Sequence, residues 1–182
     1  MLKKLQELIV SGRLGEMLND GQPWKSVDVT YDKPRVRRLW RPDGENRVCL
    51  HLIEPCGADE PFFHPHPWPS AMVVLSGCYE MRVGYGPRSG QPPPRSSPII
   101  LSQGSCYEMV DPDEWHSVRP LGEQSLSVML SGPPYKDQTM PKVPATPQSS
   151  LDEGWAGHIK LLCLQELTFV KMPGSALWSV GS

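Results

Sequence analysis

The sequence predicts an all-β domain, a sandwich or barrel, with helical segments at both ends. Three observations predict it. Residues 27–131 are a succession of short β-like runs separated by Gly and Pro turn signals. Proline is abundant, 21 of 182 residues, and clusters between those runs, which suits short stiff connections and argues against long helices through the middle. Helical apolar spacing is confined to residues 2–19 and 151–167.

At the N-terminus, Leu2, Leu5, Leu8, Ile9, Leu14, Met17 and Leu18 recur at a spacing of three to four, with Lys3, Lys4 and Glu16 off the stripe. Gly12 and Gly15 weaken the second half of this helix, which is expected to pack on the domain. Strand candidates follow at Val27–Tyr31, Val36–Trp40, Arg47–Ile53, Ser70–Leu75, Cys78–Tyr85, Ile99–Leu101, Ser105–Val110, His116–Arg119 and Ser125–Leu130. Alternation is plain in one of them: Val48, Leu50 and Leu52 share a face, with Cys49, His51 and Ile53 on the other. Ser76-Gly77 reads as a tight turn, so that Cys78–Tyr85 would pair back along Ser70–Leu75. The stretch GPRSGQPPPRSSP, residues 86–98, reads as a mobile Pro-rich hairpin loop. Residues 132–149 form a linker with little surface to bury. Ser150-Leu151-Asp152-Glu153 has capping-box spacing, and the helix it opens would dock through Trp155, Ile159 and Leu162. The tail TFVKMPGSALWSVGS has room for one more short strand. The expected division is a helical segment over 1–26, the β domain over 27–131, and linker, helix and tail over 132–182.

Charge and composition exclude several function classes. The net charge is -2 and the pI about 6.2, and no basic stripe runs along the chain, so nucleic acid is not an expected partner. The apolar runs are too short to span a bilayer, and the N-terminus lacks the sustained apolar run of a secretory leader. Five cysteines, an odd number with no CxxC spacing, read as reduced thiols of a cytoplasmic protein, Cys78 and Cys106 among them as core residues. Arg35, Arg37, Arg38 and Arg41 form a cluster that is read as a solvated strand face, with anion binding or acidic partners as the other readings.

The chemistry concentrates in His64-Pro65-His66 and, fifty residues on, His116 in Pro112-Asp113-Glu114-Trp115-His116. In a strand, residues i and i+2 point the same way with Cα atoms roughly 6.5–7 Å apart. His64 and His66 can therefore aim both rings at one point, and metal–nitrogen bonds of about 2 Å make that a workable bite. Pro65 has no N–H and suits an edge strand. His116, from a neighbouring strand, would complete one face of a coordination sphere. His51 and His158 read as ordinary polar residues.

These segments resemble the two cupin motifs. GADEPFFHPHPWPSAMVVLSG, Gly57–Gly77, is similar to the first: a Gly, a His-x-His pair, then a closing Gly. GSCYEMVDPDEWHSVRP, Gly104–Pro120, is similar to the second: a Gly, a Pro turn, then a His. The departures are specific. The first Gly lies one residue further from the His pair than usual, the Glu slot holds Ser70, no Gly follows the second motif's Pro, and Pro120 fills its last Asn slot. The HPHPW variant resembles a group of small RmlC-like bacterial cupins. The resemblance implies a cupin-type double-stranded β-helix, a jelly-roll barrel, with His64, His66 and His116 as metal ligands.

With Ser70 in the carboxylate slot, three neutral imidazoles would leave a divalent ion's full charge uncompensated and favour an anionic partner. Three-histidine cupins include thiol dioxygenases, so resemblance implies Fe(II) first, with Zn, Ni or Mn as alternatives. The resulting expectation is an Fe(II) dioxygenase acting on a small thiol or carboxylate. The alternatives are a small-molecule-binding cupin without turnover and a Zn-dependent isomerase or hydrolase. Pocket candidates are Arg82 as a carboxylate clamp, against its reading as a solvated strand residue, Trp68 at the mouth, against packing outside the barrel, Tyr79 as a pocket hydroxyl and Ser70 itself. Trp115 reads as readily as an outside packing residue, and Tyr85 and Tyr107 carry no spacing signal. Pairing of cupins through their sheets implies a possible homodimer.

Overall fold

The computed structural model describes residues 1–30, 33–87, 92–135 and 149–170. Ten strands follow from the alternating, Val- and Leu-rich runs: β1 (Lys25–Val29), β2 (Val36–Asp43), β3 (Asn46–Ile53), β4 (His64–Pro65), β5 (Ser70–Ser76), β6 (Cys78–Tyr85), β7 (Ser97–Ser102), β8 (Cys106–Met109), β9 (Glu114–Pro120) and β10 (Ser125–Ser131). From β3 onward they pair first with last: β3 with β10, β4 with β9, β5 with β8, β6 with β7. These are the pairings of one long hairpin whose tip is the β6–β7 connection. Wound into a helix, the hairpin distributes into two antiparallel sheets of order β1-β2-β3-β10-β5-β8 and β4-β9-β6-β7. That order is the double-stranded β-helix, or jelly roll.

The winding corrects one expectation. Ser76-Gly77 is not a hairpin turn: β5 pairs with β10 and β8, while β6 pairs with β9 and β7, so the chain changes sheet at Gly77. Gly77 has φ +80°, and a side chain there would meet the Gln124 carbonyl oxygen at 2.8 Å. Only glycine permits both the backbone conformation and the close pass of β10's start. In the Pro-rich loop expected to be mobile, residues 88–91 lie outside the described residues. Its return limb lies against β6, where a Cβ on Gly84 would come within 2.7 Å of the Arg95 carbonyl oxygen.

The predicted N-terminal helix is two helices, α1 (Leu2–Val10) and α2 (Arg13–Asn19). Gly12, at φ 83°, ends the first and opens the second. Helix α3 (Glu153–Val170) starts later than the capping-box reading placed it: Asp152, not Ser150, caps it, its carboxylate accepting the Trp155 N–H at 2.8 Å. Of the linker, residues 136–148 lie outside the described residues, as does the tail beyond 170 that was expected to hold a strand.

The three helices cover the outer face of the six-stranded sheet. Leu5, Leu8, Ile9, Leu14, Met17, Leu18, Ile159, Cys163 and Leu167 pack there on Leu39, Val48, Leu50, Leu52, Val73, Leu75, Leu126, Val128 and Leu130. This is the main core. The arginine cluster is not a solvated face. Strand phase sends Arg37 under α3, where it is 5% exposed, paired with Glu54 and 3.7 Å from the Trp155 ring centre. Arg35 pairs with Asp28 and Arg41 with Asp20, while Arg38, of opposite phase to Arg37, turns into the barrel. Between the sheets, Ile53, Val74, Tyr79, Met81, Leu101 and Val118 fill one end, and Cys49, Met72 and Met129 form a second, sulfur-rich cluster with Trp40 and Tyr107.

Candidate metal centre

The site is built on the β4–β9 pairing. His64 lies directly opposite His116 in the antiparallel register, and His66 follows two residues on. β4 is the edge of its sheet, so the N–H that Pro65 lacks costs no ladder bond. The ring centres of His64 and His116 are 4.8 Å apart, those of His66 and His116 4.6 Å, and those of His64 and His66 5.6 Å. One nitrogen from each ring lies within 4.8 Å of the others. Among the described residues, no Cys, Asp or Glu joins the group.

The surroundings orient the rings for binding. His64 Nδ1 donates to the Phe62 carbonyl at 3.1 Å, and the Phe62 ring stacks on it with centres 5.3 Å apart. His66 Nδ1 is 2.8 Å from Ser70 Oγ. With Nδ1–H donated to the Phe62 carbonyl, His64 Nε2 keeps the lone pair a metal needs, and the Ser70 hydroxyl holds the His66 ring through Nδ1. His116 Nδ1 is buried with no hydrogen-bond partner. A ring nitrogen left in that state beside two imidazoles fits a divalent ion bound among the three.

Electrostatics also keep the rings ready. Burial pushes the His64 ring down to about 4; the charge of Arg38 adds to this, against the opposing bond to Phe62. His116 lies well below its ordinary value through burial and the nearby His66 and His64. Both are neutral at pH 7, the form that ligates metal.

Ser70 is not a missing ligand's empty slot. It is 3% exposed, and its hydroxyl is engaged with His66, so it orients a ligand in place of being one. Arg82 does not reach the interior: β6 alternates Tyr79, Met81 and Val83 inward with Glu80 and Arg82 outward, and Arg82 is 51% exposed and paired with Glu80. Tyr79 points inward but lies in the filled end, its hydroxyl 3.4 Å from that of Tyr107, whose own hydroxyl donates to Met72 Sδ at 3.1 Å. Trp68 lies beside Arg47, which also covers Trp40, and its indole N–H is buried without a partner. Trp115 packs on the outside, stacked on Phe63 and donating to the Gly86 carbonyl at 2.8 Å. Tyr85 and His158 are exposed.

Two residues escaped the sequence reading. Arg38 and His51 lie opposite each other on β2 and β3, both directed into the barrel. Burial, the charge of Arg38 and His116 hold His51 well below its ordinary value, so it is neutral. The available signal was the alternation in Arg47–Ile53, which put His51 on the less aliphatic face.

No family model and no curated protein matches the sequence. Solved structures do. The Fe(II) form of HppE is 14% identical over 62% of this chain and 56% of that one, with a TM-score of 0.48. Hydroxypropylphosphonic acid epoxidase from S. wedmorenis is 13% identical over 59% and 55%, TM-score 0.46. KdgF from Halomonas sp. is 16% identical over 65% and 94%, TM-score 0.44. The chain thus spans little more than half the length of the first two. Likenesses this partial add no argument to what the strand order shows. No helix among the described residues is long and apolar enough to cross a membrane. The architecture is a double-stranded β-helix, or jelly roll, with a three-histidine group inside its barrel.

Proposed function

We propose that the protein is a metal-dependent cupin that uses Fe(II) to oxygenate a small anionic molecule of the thiol or carboxylate kind. The convergence of three neutral imidazoles without a carboxylate carries the reading. Fe(II) would supply open coordination positions for substrate and dioxygen. The chain's own residues do the rest. His64, His66 and His116 hold the ion without reducing its charge, which favours an anionic co-ligand. Phe62 fixes the tautomer of His64, and Ser70 holds the His66 ring in place. The charge of Arg38 helps keep the His64 ring neutral. Met72, Met129 and Trp40 pack between the sheets as an apolar, sulfur-bearing cluster.

The test is dioxygen consumption by Fe(II)-reconstituted protein with a panel of small thiols and carboxylates. Turnover that is lost in His116→Ala supports the proposal. Ligand binding without any dioxygen uptake would make the protein a binding cupin, the reading that the absent carboxylate favours. Activity with Zn(II) and none with Fe(II) would point to isomerase or hydrolase chemistry.

A further inference from the structure

The helices that cover the six-stranded sheet leave a groove between α3 and the α1–α2 pair, with a volume of about 440 Å³. The buried side chains of Ile9 and Leu167 form its floor, Leu164 and Gly15 its walls, and the exposed Glu16 and Thr168 its rim. Gly15 lies inside α2, where glycine costs a helix about 1 kcal/mol relative to alanine. A Cβ built there meets nothing within 4 Å, so no neighbour among the described residues requires a glycine. What its missing side chain does is keep the groove open. On α3, Ile159, Cys163 and Leu167 face the sheet, and Leu161, Leu164 and Thr168 form a second stripe at i, i+3 and i+7. Leu161 is 55% exposed and Leu164 half-buried. A helix apolar on two faces needs cover on both, and among the described residues only the first is fully covered.

We propose that this groove receives the segment that follows α3, residues 171–182, with Leu177 and Trp178 seated against Leu164, Leu167 and Gly15. The inference concerns the helical layer alone and does not rest on the metal reading. Three features commit the groove to this occupant. The segment begins at the groove itself, because Leu167 and Thr168 belong to the last turn of α3, which ends at Val170. Pro173-Gly174 is a turn pair, which lets the chain reverse along the helix. Leu164 lies six residues before Val170, about 9 Å back at about 1.5 Å per residue, and Leu177 seven residues after it, a reach of up to about 23 Å at about 3.3 Å per residue. The composition fits: Ala176, Leu177, Trp178 and Val180 are apolar, and the single charged side chain, Lys171, is opposite in sign to Glu16 on the rim. Covalent attachment holds the segment at about millimolar effective concentration, which a free partner would have to exceed. Seated there, Trp178 would tie α3 to the α1–α2 pair and bury the stripe that α3 leaves open.

The bond between Lys171 and Met172 is a trypsin site at the start of the segment. Limited trypsinolysis of the full chain, read by mass spectrometry, is expected to cut it about tenfold more slowly in wild type than in Trp178→Ser, which removes the anchor and leaves the groove untouched. Gly15→Phe, whose side chain would enter the groove from a position with free space around it, should speed the cut by a similar factor. If Gly15→Phe does not fold, Leu177→Ser and Trp178→Ser decide in its place. Equal cutting rates in wild type and the variants overturn the inference. So does a slow cut that depends on protein concentration, which would put a second copy's segment in the groove.

Discussion

The two faces of the six-stranded sheet are both shielded from solvent and are built from different residues. On β3 and β10 the outward side chains are Val48, Leu50, Leu52, Leu126, Val128 and Leu130, packed against three helices. The inward ones include Cys49, His51, Ser125, Ser127, Met129 and Ser131, none more than 4% exposed. Outward, every atom is apolar and close-packed. Inward, Ser125 Oγ, Ser127 Oγ and His51 Nε2 lack partners. Burial therefore does not separate core from site in this barrel; unmet hydrogen-bonding capacity does. One face spends its burial on stability and the other holds polar groups in a place where water competes poorly.

The largest effect that sharpens the contrast is on the outward face. Leu50→Ala is expected to destabilise the fold by about 2–5 kcal/mol, through lost transfer energy and the cavity left behind, while metal content is unchanged. Denaturant unfolding with elemental analysis checks both halves. Acid should act on the inward face. His51, His64 and His116 are held below the ordinary value of 6.5, His64 to about 4. Between about pH 6.5 and 4 the unfolded chain binds protons that the native state refuses, so stability falls as the pH falls through that window, by up to about 1.4 kcal/mol per pH unit for each such ring. Denaturant curves of metal-free protein at several pH values read this directly. Leu50→Ala should lower the curve without changing its pH slope, and His51→Gln should reduce the slope.

A smaller effect is expected at Ser70, whose hydroxyl orients His66. Ser70→Ala should weaken metal binding about tenfold in a chelator competition, with the fold intact. Smallest of all is the stability change in Ser127→Ala, expected within about 1 kcal/mol of wild type because its hydroxyl makes no bond to lose. A loss there as large as in Leu50→Ala would break the comparison between the faces.

The triad was legible because its information is local. His64 and His66 are two apart, so strand geometry aims both rings together, and His116, after its Pro turn, was joined to them by the resemblance of the two segments to the cupin motifs. Most strands were legible for the same reason, and β4, two residues long, was legible only through its histidine pair and Pro65. What sequence could not reveal is the direction of strand phase. The alternation of Leu50 with His51 is visible, but both faces are buried, and only the winding of the hairpin decides which face looks into the barrel. The same ambiguity made Arg82 attractive and Arg38 ordinary: Arg82 followed a turn that was read as a hairpin, whereas Gly77 takes the chain to the other sheet and leaves Arg82 outside. The arginine cluster was read as solvated because α3, more than a hundred residues away, covers Arg37.

Metal content of protein purified without chelator bears most directly on the three-histidine site. The expected result is about one divalent ion per chain, bound by three imidazoles, lost in both His64→Ala and His116→Ala and kept in His158→Ala, whose ring is on the surface. Wild-type protein that binds no ion when Fe(II) or Zn(II) is supplied, or variants that keep it, would contradict a metal centre at this site.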